Sequence, residues 1–455
     1  MLTSWYVITL LIVISIAVIY LKLGRKGFEI FIQQWPLSNL NIMLASTALT
    51  WLCLGALFYL LAYEKIKANN ALTFAGFFLI ALTYLNILRE RFRYGDYHYY
   101  LEAATNLLQN KPLPDTYIYL PLWATMVQFI VPLGDEGVLL VLWTLNIIFL
   151  IAFYFLLHRL LEVYGFSVPL AALITTFFIL VNTPLHRTLG YVQVNLLVMV
   201  LILLGILFYP KWMFLSALTL ALAVHLKTSP IVLVLAFLLE RNWRWLIWFL
   251  LSFLVIGLIP VAMNGVSPYY DFLTNITILS QNNNTIFHDT SFDSFLRFLD
   301  PFLRINMFWT RVLTYMSKLL LGIATIFVMM RNVRHQIFIR GQDNGTVLLN
   351  AIPPLFILMT LASPIVWDHH GIFVTIPFLL MLKWLNSPAK WALYSFAYFL
   401  EFILPSFDFF PWSFGRLLAP LIILGLMWGI EKQQEQSRFF AIVSDWLSNL
   451  PALRA

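Results

Sequence analysis

GVLLVLWTLNIIFLIAFYFLL, the run from Gly137 to Leu157, decides the fold class. No charge interrupts it, and about 20 such residues in a helix cross the roughly 30 Å hydrocarbon core of a bilayer. Asp135 and Glu136 stand just before it, and His158 and Arg159 just after. The same pattern recurs from end to end. Apolar runs begin near residues 3, 41, 71, 137, 167, 191, 211, 229, 244, 307, 347, 370, 391 and 416, predicting about fourteen transmembrane helices and no soluble domain of useful size.

Composition agrees with an all-α, polytopic membrane protein. The 455 residues are 61% hydrophobic and 11% charged, with a mean hydropathy of +0.84, where soluble domains carry about 25% charged residues. The formal net charge of +7 is no nucleic-acid footprint, because the basic residues sit mostly in short loops. The lone Cys53 lies in an apolar run, which excludes a disulfide framework and a cysteine metal site. The N-terminal run lacks a basic leader and a small-residue cleavage site and reads as a retained membrane helix.

Charge also orients the chain. With the N-terminus in the cytoplasm, His158, Arg159, Lys211, Arg241, Arg244, Arg331, Arg340, Lys383, Lys390 and Lys432 fall on the cytoplasmic side. Asp115, Asp135, Glu136, Asp271, Asp289, Asp293, Asp300, Asp368 and Asp408 fall opposite. Two basic clusters break the rule: Lys22, Arg25 and Lys26, and Arg89, Arg91 and Arg93. Two external loops, roughly 89–136 and 263–306, are long and mix polar with aromatic residues, so interfacial helices are expected in both.

The candidate site residues lie in these loops and at the external connections. Asp96, between Gly95 and the aromatic run Tyr97-His98-Tyr99-Tyr100, has the chemistry of a general base toward a hydroxyl, and equally that of a helix N-cap. Arg89, Arg91 and Arg93 could grip a phosphate or simply snorkel to lipid headgroups. Lys227, in His225-Leu-Lys227-Thr-Ser-Pro230, is an ionisable group flanked by apolar helices and a candidate to bind an anion. Gln193 and Asn195 offer amides for sugar hydroxyls, or for bonds between helices. Trp367-Asp368-His369-His370 could stack on a sugar and hydrogen-bond to it or to a phosphate. A metal site fits less well, because adjacent residues rarely all reach one ion. No Gly-rich phosphate loop and no cytoplasmic nucleotide domain is present, so a transferase of this kind would draw its donor from the lipid phase.

In order, these motifs resemble glycosyltransferase family 87. The aspartate is followed by Tyr99-Tyr100-Leu-Glu-Ala-Ala104, by Pro112 through Tyr117-Ile-Tyr119-Leu-Pro121-Leu122, and by Leu142-Trp143-Thr-Leu-Asn146. Gln193-Val-Asn195, Leu226-Lys227-Thr-Ser-Pro230, Ser294-Phe-Leu-Arg297 and Ser363-Pro364 through His370 complete the series. The resemblance implies a GT-C type fold, with two N-terminal helices over 1–70, a catalytic core over 71–385 and C-terminal helices with a cytoplasmic tail over 386–455. It further implies transfer of a hexose, mannose among the candidates, from a polyprenyl-phosphate donor to a lipid or glycan acceptor. The active site would face away from the cytoplasm, in a multi-pass protein of the cell membrane, with no cofactor, no metal and no nucleic-acid partner.

In that scheme Asp96 is the catalytic base, Lys227, His369, His370 and Arg93 surround the donor phosphate, and Tyr99, Tyr100, Gln193, Asn195, Trp367 and Asp368 contact substrate. The chain departs from the family pattern in having two spans before the one that leads to Asp96, in Tyr119-Leu-Pro121-Leu122 where Tyr-Pro-Pro-Leu is usual, and in His288 to Asp293 where an Asn-Gln-Ser-like stretch is usual. These departures bear on the acceptor. The rival classes are a transporter or flippase of lipid-linked sugars, which would scatter charge through the depth of the membrane, and a polymerase or ligase using a polyprenyl-diphosphate glycan.

Overall fold

Lipid offers no partners to backbone N–H and C=O groups, so a chain this apolar must pair them within each segment as helix. The computed structural model describes residues 4, 6–15, 17, 95–281, 289–303, 306–341, 345–404 and 412–430. Among them every regular element is helical, apart from one isolated antiparallel bridge between Asp289 and Trp367.

In chain order the α-helices are α1 (Tyr6–Ser15), α2 (Tyr97–Leu108), α3 (Pro121–Val127), α4 (Gly134–Val163), α5 (Val168–Leu180), α6 (Thr183–Gly190), α7 (Asn195–Phe208), α8 (Met213–Leu226), α9 (Val234–Leu239), α10 (Trp243–Asn264), α11 (Ser267–Gln281), α12 (Phe292–Leu303), α13 (Met307–His335), α14 (Thr346–Leu361), α15 (Thr375–Met381), α16 (Pro388–Tyr398) and α17 (Gly415–Trp428). Two 3-10 segments matter below: Ser229–Leu233 before α9 and Asp368–Val374 before α15.

The expected apolar runs from residue 137 onward are helical wherever they are described; those beginning near 41 and 71 lie outside the described residues. Length separates them. Among the described residues α4, α10 and α13 are long and apolar enough to cross a membrane, and α5 with α6 would make a fourth span bent by 61°. That is fewer than the expected fourteen. Polar and proline positions break the rest: Asn182 caps α6 by accepting from Leu185 N at 2.9 Å, with Pro184 in the first turn, and Pro230 follows α8. The helices expected in the two long loops are present as α2, α3, α11 and α12.

The core gathers around α7 and α14, whose side chains are almost all buried. α7 packs on α4, α8 and the 3-10 turn Asp368–Val374, and α14 on α13 and α9. Between α7, α8 and α10 a polar stitch crosses the apolar interface. Ser216 Oγ donates to Gly205 O at 2.6 Å and accepts from Trp245 Nε1 at 2.9 Å. The Trp245 ring stacks flat on Phe237 at 3.6 Å. Such bonds fix helix register where apolar packing alone is sequence-tolerant.

Candidate functional site

The site forms where four connections meet: the start of α2, the α6–α7 turn, the end of α8 and the turn before α15. Gly95 and Asp96 lie edge-on to the α6–α7 turn, with Asp96 N donating to Tyr191 O at 3.0 Å. A Cβ on Gly95 would come within 3.1 Å of that carbonyl, so the close approach needs glycine here. Asp96 occupies the N-cap position of α2, yet its side chain makes no cap hydrogen bond. Its carboxylate turns instead toward Gln193, whose Nε2 donates to Asp96 Oδ2.

Gln193 is fully buried and held from behind. Its Oε1 accepts from Tyr100 Oη at 2.9 Å and from Tyr119 Oη at 3.2 Å. The two rings meet edge to face at 5.5 Å, and Trp123 flanks Tyr100 at 5.7 Å. Burial raises both tyrosine hydroxyls above their usual range, so both stay protonated and donate. The turn that carries Gln193 is strained: Val192, a β-branched residue, has a φ of 56°, a conformation such residues rarely adopt.

Across the site stands Lys227, at the C-cap of α8. Its Nζ donates to Asn195 Oδ1 at 2.7 Å and lies 5.3 Å from the centre of the Phe373 ring. Asn195, the first residue of α7, is fully buried, and its Nδ2 has no hydrogen-bond partner. Asp96 and Lys227 are both only half-buried, open to a ligand over a floor of buried amides and imidazoles. Burial raises the Asp96 carboxyl to about 6 against the pull of Lys227. Burial likewise lowers the Lys227 ammonium to about 7 while Asp96 supports its charge.

His369 and His370 are buried in the 3-10 turn. Burial, reinforced by the Lys227 charge, pushes His369 down to about 3 and His370 well below the usual imidazole range. Both are neutral near pH 7, so they can offer hydrogen bonds but no charge to an anion. His370 Nδ1 accepts from Trp367 N at 3.1 Å, which leaves the proton on Nε2. Behind them Asp368 pairs with Arg416 at 3.1 Å, and Arg416 Nε donates to Glu401 O at 3.1 Å. Glu401 sits in the π-helical turn Phe399–Ile403, and a Cβ on Gly371 would run into its Oε1 and come 2.7 Å from Pro184 Cγ. Asp289 steadies the same turn from the other side, accepting from Val366 N at 2.8 Å and Ser291 N at 3.0 Å.

Of the residues singled out by sequence, the structure therefore brings together Asp96, Tyr100, Gln193, Asn195, Lys227, His369 and His370. Tyr99, next to Tyr100 on α2, is exposed and points away from Gln193. Asp368 is committed to Arg416, and Trp367 is partly exposed at the edge of the same turn. Arg93 lies outside the described residues. Arg416, Glu401 and Asp289 were missed as site residues. The signal for the first two was available, since a lone ionisable residue within an apolar run is a functional candidate by default. Among the described residues no group of three or more His, Cys, Asp or Glu is arranged to hold a metal ion.

Long apolar helices with a half-open cluster of carboxylate, ammonium and amide groups at their ends define a helical membrane protein with a polar site at one end of its core. The model of glycosyltransferase family 87 matches residues 117–364, more than half of the chain, and the chain belongs to that family. It is thus a glycosyltransferase. The match covers Gln193, Asn195 and Lys227, begins after Asp96, and ends before His369 and Arg416. No curated protein and no solved structure matches the chain.

Proposed function

We propose that the protein transfers a hexose, mannose being the leading candidate, from a polyprenyl phosphate to a hydroxyl of a lipid or glycan acceptor on the extracytoplasmic side of the cell membrane. The observation that carries this reading is the opposition of Asp96 and Lys227. An accessible carboxylate faces an accessible ammonium, and beside the ammonium a buried amide donor, Asn195 Nδ2, stands without a partner. Asn195 also opens a 14-residue helix, whose N-terminal dipole favours negative charge.

Asp96 takes the proton of the acceptor O–H as the acceptor oxygen bonds to the anomeric carbon. The bond from that carbon to the phosphate oxygen breaks, and its electron pair leaves with the phosphate. Lys227, Asn195 Nδ2 and the neutral imidazoles of His369 and His370 receive the charge that develops there, which is the largest kind of contribution a water-poor site makes. The 3-10 turn carrying Trp367 supplies an aromatic edge for the sugar. A single inverting displacement needs one base, in keeping with one accessible carboxylate.

The test supplies labelled polyprenyl-phosphate mannose and a membrane lipid extract to the purified protein. Asp96→Asn should lower transfer by about 10²–10⁴-fold, the usual contribution of a general base. Transfer at the wild-type rate would remove Asp96 from that role. The bent α5–α6 pair is a feature that a carrier of lipid-linked sugars would share. Movement of the labelled lipid across liposomes without sugar transfer would favour that second reading.

A further inference from the structure

We infer that Gln193 is a positioning residue that clamps Oδ2 of Asp96, so that Oδ1 alone receives the acceptor proton. The inference rests on the reading of Asp96 as the base and adds which atom acts and what holds it.

Three observations converge on the clamp. Gln193 is fully buried, so it sits behind the carboxylate and does not reach substrate. Its amide has only one workable orientation. Tyr100 and Tyr119 both direct hydroxyls to Oε1, at 2.9 and 3.2 Å. Tyr100 Oη also accepts from Val194 N at 3.5 Å, which leaves its proton for Gln193. With Oε1 taken by two donors, Nε2 must face the carboxylate, and an ionised carboxylate accepts only.

The backbone repeats the message. Asp96 N is held by Tyr191 O at 3.0 Å and Gln193 N by Thr188 O at 2.9 Å, so carboxylate and amide approach each other from two anchored points. Between those anchors Val192 is kept in the left-handed region, a strain that persists only where the surroundings over-determine it. Asp96 does not cap α2, so Oδ2 has no competing backbone donor from that helix. Among the described residues no hydrogen bond to Oδ1 is formed, and this oxygen is the one left for the acceptor hydroxyl.

A donor on Oδ2 stabilises the ionised carboxylate and so lowers the pH at which the base becomes active. Removing it has a signature that loose packing would not produce. With labelled polyprenyl-phosphate mannose and a membrane lipid extract, kcat and KM of the full chain are measured from pH 4.5 to 8 for wild type, Gln193→Leu, Gln193→Glu and Tyr119→Phe. In Gln193→Leu the acid limb of the kcat profile should move up by about one pH unit, with KM for the donor within about twofold of wild type. In Gln193→Glu it should move further, because two carboxylates sharing one site resist double ionisation. Tyr119→Phe removes one partly exposed hydroxyl, leaves Tyr100 in place, and should give a smaller shift in the same direction.

An acid limb that stays at the wild-type pH in Gln193→Leu and Tyr119→Phe, whatever the loss in rate, overturns the clamp. Asp96→Asn separates the two levels. If it is inactive while the limb does not move, only the clamp fails; if it is active, the base itself is misassigned. Should Gln193→Leu not fold, the limb in Tyr119→Phe decides.

Discussion

Two lysines invite comparison, one at each of two connections between helices. Lys227 donates to one neutral oxygen, Asn195 Oδ1, and lies over the Phe373 ring. Lys383 also donates to one neutral oxygen, Tyr164 O, and lies 4.6 Å from the centre of the Phe166 ring. Burial lowers both ammonium groups, Lys227 to about 7 and Lys383 to about 8. Local chemistry is nearly the same; the surroundings are not.

Lys383 is closed off, 7% exposed, and its oxygen belongs to the residue that caps the C-terminus of α4, where the helix dipole welcomes a cation. Lys227 is half-open and faces Asp96, an orphaned amide donor and two neutral histidines. A buried lysine is therefore no site by itself. What marks one is the combination of access with partners still lacking a charge.

The largest effect expected from this contrast is on turnover. Lys227→Met should lower kcat about 10²–10³-fold with the protein still folded, whereas Lys383→Met should leave kcat within about twofold. Equal losses in both variants would erase the distinction. Next comes the pH profile. Asp96 must be ionised to accept a proton, so the rate falls as pH drops through about 6, and Lys227 must be protonated to hold the phosphate, so it falls again above about 7. Lys227→Met should abolish the alkaline limb and raise the acid one, since the Lys227 charge is what restrains Asp96.

A smaller effect is expected on stability at the wall of the Lys227 corner. Gly371→Ala would drive a methyl into Glu401 Oε1 and Pro184 and should cost about 1–3 kcal/mol by denaturant titration. A wild-type midpoint would mean that Glu401 yields freely. The smallest concerns Lys383 and pH. Its ammonium value falls from 10.5 unfolded to about 8 folded, so between those values the unfolded chain holds more protons, and stability rises with pH from about 8 to 10.5. Lys383→Met should flatten that rise and leave stability near pH 7 unchanged or higher. A slope that survives the substitution would assign it to another group.

Sequence made much of this legible, for identifiable reasons. The spans are written as apolar runs whose meaning needs no partner, and α4, α10 and α13 follow the runs expected near 137, 244 and 307. Asp96 and Lys227 stood out because a charge beside apolar runs is costly. What could not be read depends on which face of a helix points where, and on contacts between distant segments. Tyr99 and Tyr100 look alike in sequence, yet one is exposed and the other is buried against Gln193. The histidine pair looked cationic, and burial makes it neutral. Arg416 reaches Asp368 across 48 positions, and nothing local to either announces the pair.

The left-handed turn at Val192 has one more consequence, for anyone who tries to toughen this enzyme. A search for variants that survive heating would be drawn to Val192→Gly, which relaxes a backbone that costs about 1–3 kcal/mol to hold. The same glycine would loosen the arc between Tyr191 and Gln193 on which the aim of Asp96 depends. Robustness and accuracy are set against each other at this single peptide, and the valine records which of the two the chain keeps.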